Sequence, residues 1–452
     1  MKSLIDKYNI PGPRYTSYPT VPFWEEHTFD LERWKISVKK SFDESNESEG
    51  VSVYIHLPFC EALCTFCACH KRITRRHAVE VPYLESIIKE WDLYIAIFGT
   101  KPKIKELHLG GGTPTFFSPE NLRILLEGIF SRSIVDARPE LSFEGHPNNT
   151  TKEHLDTLYR LGFTRCSFGV QDYDLRVQKA INRVQPFENV SKVTRWAREI
   201  GYTSVSHDLV FGLPFQHWGS MEHTIKKTLE LKPDRLAFYS YAHVPWIKGV
   251  GQRGYDESDL PSAANKRKLY EKGKVLLEAL GYKEVGMDHF ALEHDELYKS
   301  MLGKKIHRNF MGYSSSKTQL MVGLGMSSIS DSWYGFSQNT KTVEEYQKLV
   351  NDHTIPIFRG HILTDEDLYI RKHILNIMCM LETSWEKDLR FPEMERSLQL
   401  LEEMRRDGLV EIREQSLKIT EKGKPFTRNV AMAFDLRMLR KTPETRIFSM
   451  TV

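Results

Sequence analysis

Short apolar stretches alternate with amphipathic stretches over the first two thirds of the chain. The apolar or alternating runs predict β-strands at residues 51–57, 104–109, 140–144, 164–170, 204–211 and 234–241. After the first run, one face of a helix is formed by Leu84, Ile87, Ile88, Trp91 and Ile95. Further helices are predicted at 152–161, 187–200, 219–231 and 263–280. Repeated strand–helix units are typical of a parallel sheet. The pattern therefore predicts an α/β fold, a partial (β/α)6 barrel whose strand-end loops build the functional site.

The two ends of the chain depart from this alternation. Residues 41–50 (SFDESNESEG) are acidic and nearly devoid of apolar side chains, which is typical of an exposed linker. Near the other end, helical patterns at 365–382 and 393–407 precede a small alternating hairpin at 410–419. We therefore expect three parts: an N-terminal arm and linker (1–50), the barrel (51–350), and a mainly helical, winged-helix-like C-terminal domain (351–452).

Charge and composition exclude several classes of function. The 452 residues include 63 basic and 60 acidic side chains, a net charge of +3, so no strong field attracts nucleic acid or an anionic membrane. Acidic residues around the hairpin favour a docking or covering role for the C-terminal domain over nucleic-acid binding. The sequence shows neither a signal peptide nor a long apolar run. We expect a cytoplasmic protein that binds no membrane and no nucleic acid.

Four of the six cysteines lie within ten positions, directly after the first predicted strand. They form the spacing C-x3-C-x2-C-x-C at Cys60, Cys64, Cys67 and Cys69. In a reducing compartment such clusters more often bind metal or perform chemistry than form disulfides. The first three suit a 4Fe-4S cluster with one iron left open. A zinc site, which normally uses two separated ligand pairs, and a redox or inert thiol group are the alternatives.

A glycine run follows the second predicted strand, in the stretch KELHLGGGTPT at 105–115. Glycine permits a close approach of the backbone, so Gly110, Gly111 and Gly112 could present amide groups to a polar ligand. A dinucleotide-binding fingerprint would require glycine where Thr115 stands. A plain glycine turn is the alternative interpretation.

The cysteine spacing, the aromatic Phe66 before the third cysteine and the glycine run resemble the radical S-adenosylmethionine (SAM) enzymes. In that family the open iron binds SAM, whose reductive cleavage gives a 5'-deoxyadenosyl radical. More narrowly, the chain resembles the oxygen-independent coproporphyrinogen III oxidases. That resemblance rests on motifs in family order, among them GPRYTSYPT, YIHLPFC, LHLGGGTPT, GVQDY, DLVFGLP, GMDHFA, HRNFMGY and GMSSIS.

The resemblance implies a set of site residues. The predicted cluster ligands are Cys60, Cys64 and Cys67, and Cys69 is the predicted catalytic residue. The residues expected around the cluster-bound SAM are Tyr54, Gly111, Glu144 and Ile329. Those expected around a second SAM molecule are Phe66, Gly112, Thr113, Gln171, Arg183, Asp208 and Ala242. Departures from the usual family pattern occur at Ala68, Leu109, Gly145 and His146.

The function implied by the resemblance is oxidative decarboxylation of two propionates of a tetrapyrrole to vinyl groups in heme biosynthesis. Expected partners are the tetrapyrrole and an electron-donor protein of flavodoxin or ferredoxin type, with a monomeric enzyme. The alternative is a heme-binding or heme-chaperone relative; the N-terminal arm and Cys69 favour the oxidase. For the basic stretch 70–76, a solvated loop, substrate contact and donor docking are all open, and Arg14 is a further carboxylate-binding candidate.

Overall fold

The structure is a computed structural model, and it describes residues 4–26, 28–246, 251–386, 394–440 and 447–451. Its strands are β1 (Val51–Leu57), β2 (Phe59–Cys60), β3 (Arg72–Ile73), β4 (Lys103–Gly111), β5 (Ile134–Gly145), β6 (Arg165–Gln171), β7 (Ser204–Phe211), β8 (Arg235–Ser240), β9 (Lys283–Val285), β10 (His289–Ala291), β11 (His307–Asn309), β12 (Gly312–Ser314), β13 (Leu320–Leu324), β14 (Ile329–Asp331), β15 (Gly335–Asn339), β16 (Ile357–Ile362), β17 (Glu382–Ser384), β18 (Val410–Arg413) and β19 (Ser416–Ile419).

Helices alternate with these strands along the chain and predominate in its C-terminal part. They are α1 (Leu4–Tyr8), α2 (Leu31–Ser45), α3 (Glu80–Phe98), α4 (Pro119–Ser131), α5 (Lys152–Arg160), α6 (Leu175–Ala180), α7 (Phe187–Ile200), α8 (Trp218–Glu230), α9 (Ala263–Ala279), α10 (Glu296–Leu302), α11 (Val343–Asn351), α12 (Asp365–Met380), α13 (Met394–Arg406), α14 (Thr427–Met432) and α15 (Leu436–Arg440). Short 3-10 turns occupy Val21–Phe23, His77–Val79, Pro114–Phe116, Glu257–Asp259 and Glu421–Phe426.

One twelve-stranded open sheet organises the molecule. Its order is β16-β15-β14-β13-β1-β4-β5-β6-β7-β8-β10-β9, and the central run from β13 to β8 is parallel. The six predicted strands are confirmed as β1 and β4 to β8, and the predicted helices as α3, α5, α7, α8 and α9. Strand β1 is buried at six of its seven positions, as expected for a central strand of a parallel sheet.

The expectation of an exposed linker at 41–50 is wrong for its first half. Helix α2 runs through it and buries Phe42 in the main core, and Ser41 and Ser45 are also buried. The Ser45 hydroxyl donates to the Ser41 carbonyl at 2.7 Å, so these small polar side chains are satisfied inside the helix. The acidic side chain of Asp43 faces solvent. The polar composition of residues 41–50 therefore did not indicate the amphipathic helix that their first half belongs to.

The C-terminal domain has the predicted helices and hairpin. Helices α12 and α13 pack with a small sheet of order β17-β19-β18, of which the hairpin β18–β19 was predicted. Helix α12 ends at Met380 rather than at residue 382, because Leu381 takes a left-handed conformation with φ +58°. The next residues form strand β17, whose first residue, Glu382, the pattern had assigned to the helix.

The N-terminal arm joins the chain's C-terminal tail. Tyr8, Tyr15 and Tyr18 lie in the same hydrophobic core as α12. Beyond this core, the Gly12 amide donates to the Ser449 carbonyl at 3.0 Å. The three-part division of the chain stays a prediction, since the arm shares a core with the C-terminal domain and α2 shares one with the sheet.

Candidate active site

The predicted site residues gather at the carboxyl ends of the parallel strands. The cysteine loop follows β1, the glycines end β4, Glu144 lies at the end of β5 and Gln171 at the end of β6. In strand–helix folds this edge carries the functional loops, because the strands all point the same way. The topology therefore brings together motifs that lie more than a hundred residues apart.

The cysteine loop is anchored to the segment after α6. The Thr65 amide donates to the Ile181 carbonyl at 2.9 Å, and the Asn182 side chain donates to the Leu63 carbonyl at 2.7 Å. Within the loop the Cys67 amide donates to the Cys64 carbonyl at 3.2 Å. These bonds hold the backbone between the second and third cysteines in one conformation.

A cavity of about 330 Å³ opens beneath this loop. It is lined by all three predicted cluster ligands and by Phe66, Gly112, Thr113, His146 and Arg183. The Arg183 Nη1 atom lies 3.9 Å from the Cys64 sulfur, and its buried Nε has no partner among the described residues. An unpaired guanidinium N–H beside three thiols suits an anionic group in the cavity.

The donor set fits an iron–sulfur cluster better than a single ion. No three His, Cys, Asp or Glu side chains in the described ranges converge as ligands of one metal ion. A cubane needs a wider arrangement, because each thiolate binds a different iron. Three thiols around a cavity of this size meet that requirement.

The four thiols of the loop differ in acidity. Burial raises the pKa of Cys60 to about 11, although its sulfur lies 3.3 Å from the Thr113 hydroxyl. The Cys69 thiol donates a hydrogen bond to Cys67, which lowers the pKa of Cys67 to about 6 and raises that of Cys69 well above its usual value. Cys69 is thus a protonated thiol next to a cluster ligand.

The glycine run is required by close contacts with β1. A Cβ atom on Gly112 would lie 2.5 Å from the carbonyl of Pro58, and one on Gly111, which has φ +114°, would lie 2.7 Å from His56. The Gly112 amide donates to the Leu57 carbonyl at 2.8 Å. The expectation that all three glycine amides are available to a ligand is therefore wrong for Gly112, whose role is to let the backbone approach the loop.

A second cavity of about 120 Å³ lies inside the sheet's concave face. Glu144 and Asp208 line it, together with His108, Tyr239 and His289. Burial raises the pKa of Asp208 to about 6, and its carboxylate accepts a hydrogen bond from Ser167 at 2.8 Å. These carboxylates are suited to accept hydrogen bonds from ribose hydroxyls.

The remaining predicted residues, Tyr54, Gln171, Ala242 and Ile329, do not line either cavity. The Tyr54 hydroxyl lies 3.1 Å from His56 Nδ1, Gln171 takes a left-handed conformation with φ +66°, and the Ala242 carbonyl accepts from Gln252 at 2.7 Å. Ile329 begins β14 and packs beside another core, so it lines neither cavity.

Tyr239, His289 and His146 are among the lining residues that were not predicted as site residues. Tyr239 and His289 face the second cavity from β8 and β10. His146, noted only as a departure from the family pattern, lines the cluster cavity. Its Nδ1 accepts from the Asn148 amide at 3.2 Å, and burial together with Arg183 lowers its pKa well below the usual value. The position of each residue at or just beyond a strand end was the available signal.

Comparisons with known proteins place these observations in context. Residues 54–228 match the Radical SAM superfamily. The chain is 38% identical to an oxygen-independent coproporphyrinogen III oxidase of Helicobacter pylori strain J99, over 95% of each protein. It is 35% identical to that of Escherichia coli K12, over 97% of this chain and 96% of the relative. A solved coproporphyrinogen III oxidase of Escherichia coli superposes with a TM-score of 0.87 at 34% identity, covering 94% of this chain and 97% of the other.

Proposed function

This chain belongs to the oxygen-independent coproporphyrinogen III oxidase family of radical SAM proteins, and we propose that it converts two propionate side chains of coproporphyrinogen III to vinyl groups, giving protoporphyrinogen IX. The resemblance read from the motifs is confirmed by the near full-length identity to these relatives. The protein is a radical SAM oxidoreductase with a 4Fe-4S cluster and SAM as its cofactors.

The observation that carries the proposal is the convergence of three loop cysteines on one cavity with Arg183. Cys60, Cys64 and Cys67 would hold the cluster through thiolates, and Cys60 would lose its proton on binding. When bound, the cluster supplies the electron that cleaves SAM to the radical that removes a substrate hydrogen. Thiolate ligands stay reduced in the cytosol, which is where we place the protein.

The other residues of the site would bind and orient. Arg183 carries a free N–H for an anion, and Glu144 and Asp208 offer carboxylate oxygens to sugar hydroxyls. Cys69 holds a proton one hydrogen bond away from Cys67. The two cavities together give room for cofactor near the cluster and for further groups deeper in the sheet's concave face.

Anaerobic reconstitution tests the proposal directly. After the protein is loaded with iron and sulfide, it is mixed with coproporphyrinogen III, SAM and a chemical reductant, and the products are analysed by mass spectrometry. The expected product has lost two carboxyl groups as carbon dioxide, and omission of SAM abolishes it. Tight heme binding without this product would favour a heme-delivery protein instead.

We further propose that the loop after the cluster cysteines docks an acidic electron-donor protein. Arg75 and Arg76 are exposed, and they show no side-chain ion pair within the described residues. Arg72, in contrast, pairs with Glu344 at 2.9 Å. Two free cations next to the cluster loop suit a negatively charged partner that must approach the cluster closely.

The double variant Arg75→Gln, Arg76→Gln is expected to slow turnover several-fold with a flavodoxin as donor at low ionic strength. Turnover with a chemical reductant should be unchanged, because the loss concerns docking and not the cluster. The matched control is Arg160→Gln, an exposed arginine on the outer helix α5. Equal turnover with both donors at low salt would reject the docking role.

A further inference from the structure

A third cavity, of about 140 Å³, lies where the N-terminal arm, the sheet and the C-terminal domain meet; we call it the seam. Its lining includes Arg14 from the arm, Ser240 from the end of β8, and Arg428 and Thr451 from the C-terminal part. Phe211, the last residue of β7, also lines it. The seam therefore opens at the same edge of the sheet as the cluster cavity.

Two arginines, Arg14 and Arg428, line the seam, and two further cations, Arg308 and Lys266, lie near them. Each of the four is held by main-chain carbonyl groups. Arg428 is buried and donates from Nε to the Pro13 carbonyl at 2.8 Å, with further bonds to the carbonyls of residues 12 and 450. Arg308 is also buried and donates to the Arg14 carbonyl at 3.3 Å. Lys266 donates to the Tyr241 carbonyl at 2.9 Å.

Arg14 completes this group, and it is the most accessible member. Its Nη2 donates to the Ser240 carbonyl at 2.8 Å, and about a third of its side chain is exposed. Its nearest carboxylate is that of Asp288, at 3.9 Å, which also binds His289 Nδ1 at 2.6 Å. Asp288 also acts on Arg308 and Arg428, so three arginines share one carboxylate.

The other charged groups around the seam are already paired. Glu284 binds Lys274, Glu421 binds Lys424 and Arg267 binds Glu271. Asp435 accepts from the Tyr15 hydroxyl, and burial raises its pKa to about 6. None of these supplies a carboxylate to Arg428 or Lys266 among the described residues.

The repulsion is visible in the acidities of Lys266 and Arg428, whereas Tyr313 and Asp288 raise the pKa of Arg308. Burial, Arg14 and Arg428 lower the pKa of Lys266 to about 7, and burial together with Arg14 lowers that of Arg428 to about 9. Buried cations without counterions destabilise a fold. Proteins retain such a destabilising arrangement where a bound ligand of opposite charge offsets it.

We propose that the seam is a carboxylate-binding site that holds a non-reacting propionate of the tetrapyrrole substrate. This inference rests on the proposed function, because a substrate with four carboxylates supplies the missing charge. Carbonyl groups orient the cations but do not neutralise them, so an incoming carboxylate replaces no existing ion pair. Its location at the ends of β7 and β8 places the anchored group on the same edge of the sheet as the cluster loop.

The test measures binding and stability separately, without turnover. Coproporphyrin III, the oxidised macrocycle with the same four propionates, is titrated by fluorescence anisotropy into the reconstituted protein, in the absence of SAM and reductant. The variants are Arg14→Gln and Lys266→Gln, with Arg160→Gln on α5 as the matched control. Arg14→Gln, which removes a cation that lines the seam, is expected to lose about tenfold in affinity, as for a hydrogen bond to a charged group. Lys266→Gln, which removes a nearby charge, is expected to lose less, and the control to lose none.

Thermal unfolding separates this role from a structural one. Removal of an unpaired cation should leave the melting temperature equal or higher, whereas loss of a structural contact lowers it. Unchanged affinity in both variants overturns the proposal. If the affinity and the melting temperature of the seam variants both fall, the variant Arg14→Lys, which keeps the positive charge, is measured. Affinity restored by lysine supports the carboxylate site, and affinity that stays low overturns it.

Two further measurements identify the ligand. The tetramethyl ester of coproporphyrin III, which lacks the charges, should bind wild type and variants equally. If inorganic phosphate stabilises the wild type while porphyrin affinity is independent of Arg14, the seam is a general anion site and the substrate assignment fails. If the protein decarboxylates its substrate but porphyrin binding does not depend on Arg14, only the carboxylate site at the seam is refuted. If porphyrin binding depends on Arg14 but no decarboxylation occurs, only the proposed function is refuted.

Discussion

Cys67→Ala is expected to remove the visible absorption of the cluster and to abolish decarboxylation. Cys67 is one of three thiols that line the cluster cavity, and Cys69, the remaining thiol of the loop, does not line it. With only two thiolates the cubane is not held. Absorption spectra, iron and sulfide content and product formation after reconstitution check this.

The control for this substitution is Cys379→Ala. Cys379 is a partly buried thiol near the end of α12 that packs in a small hydrophobic cluster. The same chemical change there should leave the iron content and the product yield at wild-type levels. Normal iron content and turnover in Cys67→Ala would contradict its assignment as a ligand.

Cys69→Ser is expected to keep the cluster and to lose vinyl formation by roughly a hundredfold or more, the range for loss of a positioned proton-transfer group. Serine retains a donor toward Cys67, so the ligand's surroundings persist, but the thiol itself is gone. Visible absorption, iron content and the rate of product formation are measured on the same preparation.

Cys69→Ala separates the hydrogen bond from the thiol chemistry. Alanine removes the donor to Cys67 as well, so a change in the cluster's spectrum is expected in this variant and not in Cys69→Ser. Full turnover of Cys69→Ser would show that Cys69 serves only as a hydrogen-bond donor, and the catalytic assignment would be wrong.

Local patterns predicted the central sheet well because the periodicity of a strand or a helix can be recognised over a few residues. The runs that became β1 and β4 to β8 are apolar or alternate between apolar and polar residues, as expected for strands that pack one face in a core. The spacing of Cys60, Cys64 and Cys67 is likewise a local property, and it indicated the cluster before any fold was known.

Local patterns failed where burial depends on distant partners. Residues 41–46 are polar in composition, yet α2 packs Phe42 against α3, where its ring stacks on Phe98 at 4.3 Å. The amide of Gly112 was expected to face a ligand, but it donates a hydrogen bond to the carbonyl of Leu57 at the end of β1. Neither partner can be identified from the neighbouring sequence.

The sequence by itself determined the six central strands and several of their helices, the cluster-binding spacing and the family. Only the tertiary structure decided which side chains share a cavity: Arg183 with the cysteines, Glu144 with Asp208, and Arg14 with Arg428. The physical reason is the distance along the chain over which each kind of interaction acts. Periodicity and spacing act over a few residues, whereas the charge excess at the seam arises from segments more than four hundred residues apart, joined by carbonyl groups that every residue carries.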